Sequence, residues 1–227
     1  FVIIFEKAYR SRRKETTTVK PIVVVCSPIM TDTRKNKPDK HQTLESVFTR
    51  HFTAQPGEIF SVIGLQTVTT LPMLSNNMAK GSIGVLFFHK KSEFDAFQTY
   101  IQEFGYRMKF KIWLVDPLHP TIRWKPEQIG HIYQLDVQGL MKEPVYILSY
   151  YLKLLKQGGS LTLFLEYSPK TDLVLRRLLH EAEMGEMIGL LEKVGFMSQF
   201  QIRSIRFDEQ LFYSLKATKG FLSKEQG

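Results

Sequence analysis

The sequence predicts an α/β domain built on a doubly wound, mostly parallel sheet that ends in an antiparallel hairpin. From residue 58 onward, β-type runs alternate with helical patterns over short connections. Parallel neighbours in a sheet need such crossovers. The last two β-type runs are separated only by residues 208–210, which is too short for a crossover and requires a hairpin. We therefore expect a seven-stranded sheet with an antiparallel end.

The first half of the chain contains four predicted elements. The run 20–26 is rich in β-branched residues and predicts a strand ahead of the main sheet. Apolar side chains at helical spacing predict a helix over 41–52. A short apolar strand follows over 58–63. A helix is expected within 65–78, where Pro72 has to lie in the first turn because proline cannot donate a backbone hydrogen bond.

The second half continues the alternation of strands and helices. Ser92 is expected to cap the helix that begins there. Gly158 and Gly159 are expected to end one helix and lead into a strand, and the last helix is expected to break near Gly185 or Gly189. The predicted elements are strands 82–88, 107–115, 130–135, 160–167, 200–207 and 211–217 and helices 92–104, 145–155 and 171–195.

Composition bounds the class of protein. A chain of this length with 43% hydrophobic residues can bury a core without disulfides or metals. Cys26 is the only cysteine, which excludes a disulfide framework and fits a reducing, intracellular compartment. No apolar run approaches the roughly 18 residues of a membrane span, so we expect a soluble protein. The chain begins at Phe1 rather than Met, which predicts that preceding residues are missing from it.

Positive charge is concentrated near the beginning of the chain. Residues 1–50 hold eleven basic and five acidic residues, which is two-thirds of the net charge of +9. This composition predicts a basic arm over 1–40 that contains one added strand, a domain over 41–219 and a tail over 220–227. A flexible basic arm attracts phosphate backbones, but a solvated linker explains it equally well because no aromatic residues are interleaved with its two basic clusters, 10–14 and 34–40. The candidate nucleic-acid contacts are Arg10, Arg12, Arg13, Lys14, Arg34, Lys35 and Lys37.

Three motifs in the second half occur in a recognisable order. Residues 151–163 read YLKLLKQGGSLTL, residues 190–196 read LLEKVGF, and residues 212–219 read FYSLKATK. The first resembles the helix, double glycine and fifth strand of class I S-adenosylmethionine-dependent methyltransferases. The second resembles the "LLEEAGF" helix end of that family, and the third resembles its final strand. The resemblance covers about residues 40–219. It implies a Rossmann-like fold with a site for S-adenosylmethionine.

The chain departs from that family in the predicted cofactor loop, 59–69. The family has an acidic residue and a D-x-G-x-G-x-G pattern there. In this sequence Gly64 is kept, Val62 stands at the acidic position, and Gln66 and Val68 replace the second and third glycines. The loop needs its backbone close to the cofactor, and a Cβ at each position pushes the ligand away.

The resemblance assigns roles to three further positions. The second strand should end in an acidic residue that binds the ribose, but here His89 is the first polar group after the strand. Asp116 follows the third strand, where an acidic residue binds the adenine amino group; an Asp that begins a turn with Pro117 is the equal alternative. Asp136 follows the fourth strand without the family's Asp/Asn-Pro-Pro-Tyr motif. The candidate cofactor-binding residues are Gly64, Gln66, His89, Asp116 and Asp136, and no catalytic or metal-binding residue is predicted.

These departures favour a catalytically inactive methyltransferase-like module that binds no cofactor and serves as a protein-interaction or scaffold domain. Nucleic-acid contacts through the basic arm would add to that role. The alternative is an active methyltransferase with a divergent loop that uses S-adenosylmethionine on a nucleic-acid or protein substrate. A third alternative is a different Rossmann-like module, such as a nucleotide-sensing domain with a new loop over 64–70.

Overall fold

The computed structural model describes residues 2–5, 22–25, 40–115, 126–135, 140–167, 173–197, 199–207 and 210–220. The strands are β1 (Val2–Phe5), β2 (Ile22–Val25), β3 (Ile59–Ile63), β4 (Ile83–Phe88), β5 (Phe110–Leu114), β6 (Ile129–Gln134), β7 (Leu155–Tyr167), β8 (Gln201–Phe207) and β9 (Gln210–Thr218). The helices are α1 (Lys40–His51), α2 (Thr70–Asn76), α3 (Lys91–Glu103), α4 (Pro144–Leu154) and α5 (Leu173–Val194), and a 3₁₀ turn spans Tyr106–Met108.

The described strands form one sheet in the order β1-β2-β8-β9-β7-β6-β3-β4-β5. Strands β5, β4, β3, β6 and β7 are mutually parallel. Strand β9 is antiparallel to both β7 and β8. The predicted doubly wound sheet with an antiparallel end is therefore confirmed. At the β8 edge, β2 pairs parallel with β8 and β1 pairs antiparallel with β2. Strand β2 matches the added strand expected near 20–26, whereas β1 was not predicted.

Two apolar cores lie on opposite faces of the sheet. One contains side chains of α1, α2 and α3 and is rich in aromatic rings, including Phe48, Phe52, Phe60 and Phe97. The other contains aliphatic and methionine side chains of α4 and α5 packed on β6, β7 and β9. Successive residues of a strand point to opposite faces, so each central strand contributes to both cores.

The double glycine does not end a helix, so that prediction was wrong. Helix α4 ends at Leu154, and β7 begins at the next residue. The pairing of β6 with β7 is irregular between Ile129 and His131, opposite these glycines. Gly158 has a φ of +70°. A Cβ on Gly159 would lie 2.8 Å from the carbonyl oxygen of Lys156. The glycines therefore form a bulge within β7.

Two helix predictions were also wrong. Helix α3 begins at Lys91 with Lys90 at the N-cap position, so Ser92 lies inside the first turn. Ion pairs of Lys90 with Glu93 and of Lys91 with Asp95, each at 2.8 Å, link residues at this end of the helix. Helix α5 is continuous, because its two internal glycines follow the helical hydrogen-bonding pattern without a break.

The division into arm, domain and tail stays a prediction, because most of residues 1–39 and all of 221–227 lie outside the described residues. Within the described part, no helix is both long and apolar enough to cross a membrane.

Candidate functional site

The loop after β3 is the first part of the candidate site. Gly64 follows the last residue of β3 and has a φ of +88°, a conformation that side chains with a Cβ rarely adopt. This conformation favours glycine at that position. Val62 is fully buried in the core on the α1 face.

A carboxylate from α1 occupies the same loop. Glu45 accepts hydrogen bonds from the backbone N–H groups of Gln66 and Thr67. The amide nitrogen of Thr67 lies 3.2 Å from each carboxylate oxygen. Only 4% of Glu45 is exposed. The donors of this loop are therefore bound to a side chain of the chain itself.

The surroundings of Glu45 shift the pKa of its carboxyl group in two opposite directions. Burial raises the pKa of the carboxyl group, because a charged group loses hydration. The hydrogen bonds from Gln66 and Thr67 oppose this increase in pKa, and the negative charge of Glu93 adds to it. The carboxyl group therefore depends on these backbone donors for its stability in the folded chain.

The end of β4 forms the neighbouring part of the site. Phe88 is buried, and its ring packs on that of Phe97 with centroids 4.6 Å apart. His89 is exposed, and its Nδ1 lies 3.3 Å from the carbonyl oxygen of Val115. A proton on Nδ1 makes this a hydrogen bond that ties the end of β4 to the end of β5. The His89 imidazole thus helps to hold the ends of β4 and β5 together.

The structure brings three of the five predicted site residues to one edge of the sheet. Gly64 and Gln66 follow β3, and His89 follows the adjacent parallel strand, so all lie at the carboxyl edge. Ligands of doubly wound sheets bind at this edge. Asp116 and Asp136 lie outside the described residues, as do the predicted nucleic-acid contacts Arg10, Arg12, Arg13, Lys14, Arg34, Lys35 and Lys37. Their roles stay predictions.

Glu45 was not among the residues predicted from the sequence. A signal for it was present, because Glu45, Phe48 and Phe52 recur at the i, i+3, i+7 spacing of one helix face. A carboxylate on an apolar stripe needs a buried partner. The sequence could not identify that partner, since the hydrogen bond joins residues 21 positions apart.

A second polar side chain, that of His131, lies on β6 near the start of the strand. The Nδ1 atom of His131 lies 3.0 Å from the Ser160 hydroxyl, and its Nε2 atom lies 2.8 Å from the Thr162 hydroxyl. The imidazole stacks on Tyr133 with centroids 4.0 Å apart. Burial, assisted by the charge of Lys216, lowers the pKa of His131 to about 3.

His131 acts as a structural link between β6 and β7. In the neutral imidazole one nitrogen donates and the other accepts, so His131 joins two hydroxyls of β7 to β6. Among the described residues, no carboxylate hydrogen-bonds to this ring, so the orienting acid of a catalytic triad is missing from that part of the chain. No set of three or more His, Cys, Asp or Glu residues within the described ranges could hold a metal ion.

Comparison with known proteins identifies the fold. No protein-family model and no curated protein matches the sequence. The solved S-adenosylmethionine-dependent methyltransferase from Aquifex aeolicus superposes with a TM-score of 0.58 at 15% identity, covering 81% of this chain and 99% of that one. Phosphoethanolamine N-methyltransferase 2 from Haemonchus contortus gives 0.58 at 9%, covering 79% and 53%. The [4+2]-cyclase SpnF gives 0.56 at 11%, covering 79% and 80%.

These similarities show that the chain has the class I methyltransferase fold. The resemblance carried by the three sequence motifs is therefore confirmed at the level of fold. The chain spans about half the length of the Haemonchus enzyme. One of the similar structures is named as a cyclase, so the fold alone does not define the reaction.

Proposed function

We propose that this chain is a catalytically inactive methyltransferase-like module that serves as a protein-interaction or scaffold domain. The observation that carries the proposal is the contact of the Glu45 carboxylate with the backbone N–H groups of Gln66 and Thr67. These donors belong to the loop that resembles the cofactor loop of the methyltransferases.

The Glu45 contact opposes cofactor binding in two ways. A carboxylate of S-adenosylmethionine that approached this loop would meet the charge of Glu45. To gain the two N–H groups it would have to displace Glu45, which would leave a buried carboxyl group without those donors. A buried group deprived of its hydrogen bonds costs about 1–3 kcal/mol, and more when it is charged.

The other residues at this edge also fit S-adenosylmethionine poorly. Gln66 and Val68 carry side chains where the family keeps glycine, so the backbone cannot be approached as closely. The end of β4 offers a buried phenylalanine and His89, whose imidazole already faces a backbone carbonyl group. No acidic residue occupies that strand end.

An interaction role is supported by the β5 edge of the main sheet. Strand β5 is the last strand at that edge, and it exposes 38% of Trp113 and 46% of Leu114. A strand edge offers backbone N–H and C=O groups, and exposed aromatic residues are enriched in protein interfaces. We assign a protein partner to the module on this basis, and the basic arm would add nucleic-acid contacts.

A thermal-shift experiment tests the loss of cofactor binding. We expect the melting temperature of the full chain to stay unchanged with S-adenosylmethionine or S-adenosylhomocysteine at millimolar concentration. A ligand at 100 times its Kd would add about 2.7 kcal/mol of stability. A clear rise in melting temperature would refute the proposal and support the active methyltransferase.

A further inference from the structure

Strand β5 has one side that no described strand covers. It is the last strand at its end of the sheet, and it pairs in parallel with β4 over its whole length without a bulge. A strand at the edge of a sheet can accept a further strand, because the N–H and C=O groups on its outer side have no partner in the sheet. We call this side of β5 the open edge.

The hydrogen bonds to β4 identify the backbone groups that lie at the open edge. The carbonyl oxygen of Lys109 accepts a bond from the N–H of Gly84 at 2.8 Å, and the N–H of Val115 donates to a carbonyl oxygen of β4 at 2.9 Å. Successive residues of a strand direct these groups to opposite sides, so the odd-numbered residues of this segment face β4. Ile112 and Leu114 consequently direct their N–H and C=O groups to the open edge.

The side of the open edge that faces α3 is apolar. Ile112 packs against the aromatic core on this side, and Leu114 lies on the same face and is exposed. The ring of Tyr100 lies between those of Phe104 and Tyr106, with centroids 4.3 Å and 6.2 Å away. Phe104 is 60% exposed, and helix α3 contacts β5. A strand added here would meet apolar side chains on its α3 side.

The opposite side of the open edge is basic. Lys111 is exposed, and it alternates with Ile112 and Leu114, so its side chain lies on the face away from α3. Its Nζ donates to the carbonyl oxygen of Arg107 at 3.4 Å. From residue 104 to residue 115 the chain contains Arg107, Lys109 and Lys111 and no acidic residue. Within the described part of the chain none of these three forms an ion pair, so no carboxylate there neutralises their charge.

We propose that the open edge of β5 binds an extended acidic segment of a partner protein, which joins the sheet as a further strand. The backbone groups of Ile112 and Leu114 supply the hydrogen bonds for this pairing. The alternation of β5 defines the side chains of the partner, with acidic residues on the side of Lys111 and apolar residues on the side of Leu114. The inference rests on the interaction role proposed above and specifies the chemistry of the partner.

Charge favours an acidic segment over a second copy of this chain as the occupant of the open edge. Pairing of two β5 strands would bring the same basic residues of two chains together, and like charges on neighbouring strands are destabilising. The net charge of +9 on each chain would add to this repulsion. The same charges attract an acidic segment.

The test uses the full chain and a fluorescein-labelled peptide of nine residues in which Glu alternates with Val and Thr. A peptide with Lys in place of Glu is the charge control. Two further versions of the Glu peptide are N-methylated, one at two Glu residues and the other at two residues between them. Since only alternate N–H groups of an added strand face β5, one of these versions should lose binding and the other should keep it.

Two pairs of variants locate the binding at the open edge. Lys111→Glu reverses a charge on β5, and Lys80→Glu does the same at an exposed lysine in the turn before β4. Leu114→Pro removes an N–H that faces the open edge, where a strand tolerates proline. Leu114→Thr changes the same side chain but keeps the N–H. Thermal unfolding checks that each variant is folded, and the Lys111→Glu pair decides the test if the proline variant is not.

Fluorescence anisotropy at 0.1 M salt should show saturable binding of the Glu peptide and about tenfold weaker binding of the Lys peptide. We expect Lys111→Glu to weaken binding of the Glu peptide about three- to tenfold and Lys80→Glu to change it less than about twofold. Leu114→Pro should weaken binding about fivefold more than Leu114→Thr, because a backbone carbonyl of the peptide then has no donor.

Three results would overturn the proposal: no saturable binding of the Glu peptide at millimolar concentration, equal binding of the two N-methylated peptides, or equal effects of Lys111→Glu and Lys80→Glu. Self-association of the full chain that Leu114→Pro abolishes would also overturn it and would identify a second copy as the occupant. None of these measurements involves S-adenosylmethionine. Their failure therefore leaves the loss of cofactor binding to be judged by the thermal-shift experiment.

Discussion

Glu45 and Gln66 are 21 residues apart in the sequence and are joined by a hydrogen bond from the backbone N–H of Gln66 to the Glu45 carboxylate. This bond connects α1 to the loop after β3, which resembles the cofactor loop of the class I methyltransferases. It gives α1 a role beyond packing, because the helix supplies the group that satisfies the loop. The N–H groups of Gln66 and Thr67 are thus satisfied by the chain itself.

The first prediction concerns the two ways of removing the Glu45 charge. Glu45→Ala leaves the N–H groups of Gln66 and Thr67 without this acceptor and should lower the free energy of unfolding by about 1–3 kcal/mol. Glu45→Gln keeps an oxygen acceptor and removes the cost of burying a charge, so its stability at pH 7 should equal or exceed that of the parent.

Urea denaturation of both variants measures this difference, with Glu103→Gln as a control for the removal of an exposed carboxylate on α3. Equal destabilisation by the Ala and Gln variants would show that the acceptor oxygen is not what the loop requires.

The second prediction concerns two glycines with different surroundings. A Cβ on Gly84 would lie 2.6 Å from Phe110 Cδ1 and 2.9 Å from Phe60 Cζ, inside the aromatic core. Gly84→Ala should therefore cost about 1–3 kcal/mol through overpacking. Gly189 lies in α5 with no atom within 4 Å of such a Cβ, so Gly189→Ala should stabilise the chain by about 0.5–1 kcal/mol. Thermal unfolding of both variants checks the opposite signs, and a stabilising Gly84→Ala would contradict the described packing of β4.

The sequence predicted the fold well because its signals were local. The alternation of apolar runs and helical patterns identified all seven strands of the main sheet, and residues 208–210 were sufficient to predict the hairpin. The predicted break of α5 near Gly185 or Gly189 was wrong, since a helix interior tolerates glycine at a modest cost. The other errors were at Gly158 and Gly159 and at Ser92. At these residues the backbone conformation depends on tertiary partners, namely a paired strand and the ends of two parallel strands. A local sequence pattern does not contain information about such partners.

The candidate site could be predicted only in part. Gly64 was identified because it matches the first glycine of the family's loop motif, and its φ of +88° gives the physical reason for a glycine there. The partner of the loop was not identified, because the hydrogen bonds of Glu45 depend on how α1 packs on β3. For the same reason the contacts of His131 with Ser160 and Thr162 follow from strand register and not from spacing.

The third prediction concerns the response of His131 to acid. Its pKa falls from 6.5 in the unfolded chain to about 3 in the folded chain, so the unfolded state binds the proton first as the pH is lowered. The contribution of the neutral imidazole is complete above pH 6.5 and is lost progressively as the pH falls towards 3. The loss should approach about 1.4 kcal/mol per pH unit within that range.

His131→Gln removes this titration while it keeps one donor and one acceptor for the two hydroxyls. The difference in unfolding free energy between the parent and this variant, measured by urea denaturation from pH 7 to pH 4, should shift in favour of the variant as the pH falls. A difference that does not change with pH would show that His131 is not buried in its neutral form.

The fourth prediction concerns the basic arm. Replacing Arg10, Arg12, Arg13 and Lys14 by serine removes four positive charges and leaves the residues of β1 unchanged. If the arm contacts nucleic acid, binding should weaken and its salt dependence should become shallower. The control Lys80→Ser/Arg107→Ser removes exposed charges elsewhere. Affinity and salt slope that match the parent would assign the arm to the solvated-linker alternative.

Isothermal titration of the full chain with S-adenosylmethionine at 25 °C and pH 7.5 measures directly, without assuming a substrate, whether cofactor binding has been lost. We predict no saturable heat up to millimolar ligand, and the same result with S-adenosylhomocysteine. Saturable one-to-one binding in the micromolar range would contradict the proposed inactive module, because the ligand would then occupy the loop that Glu45 is proposed to hold closed.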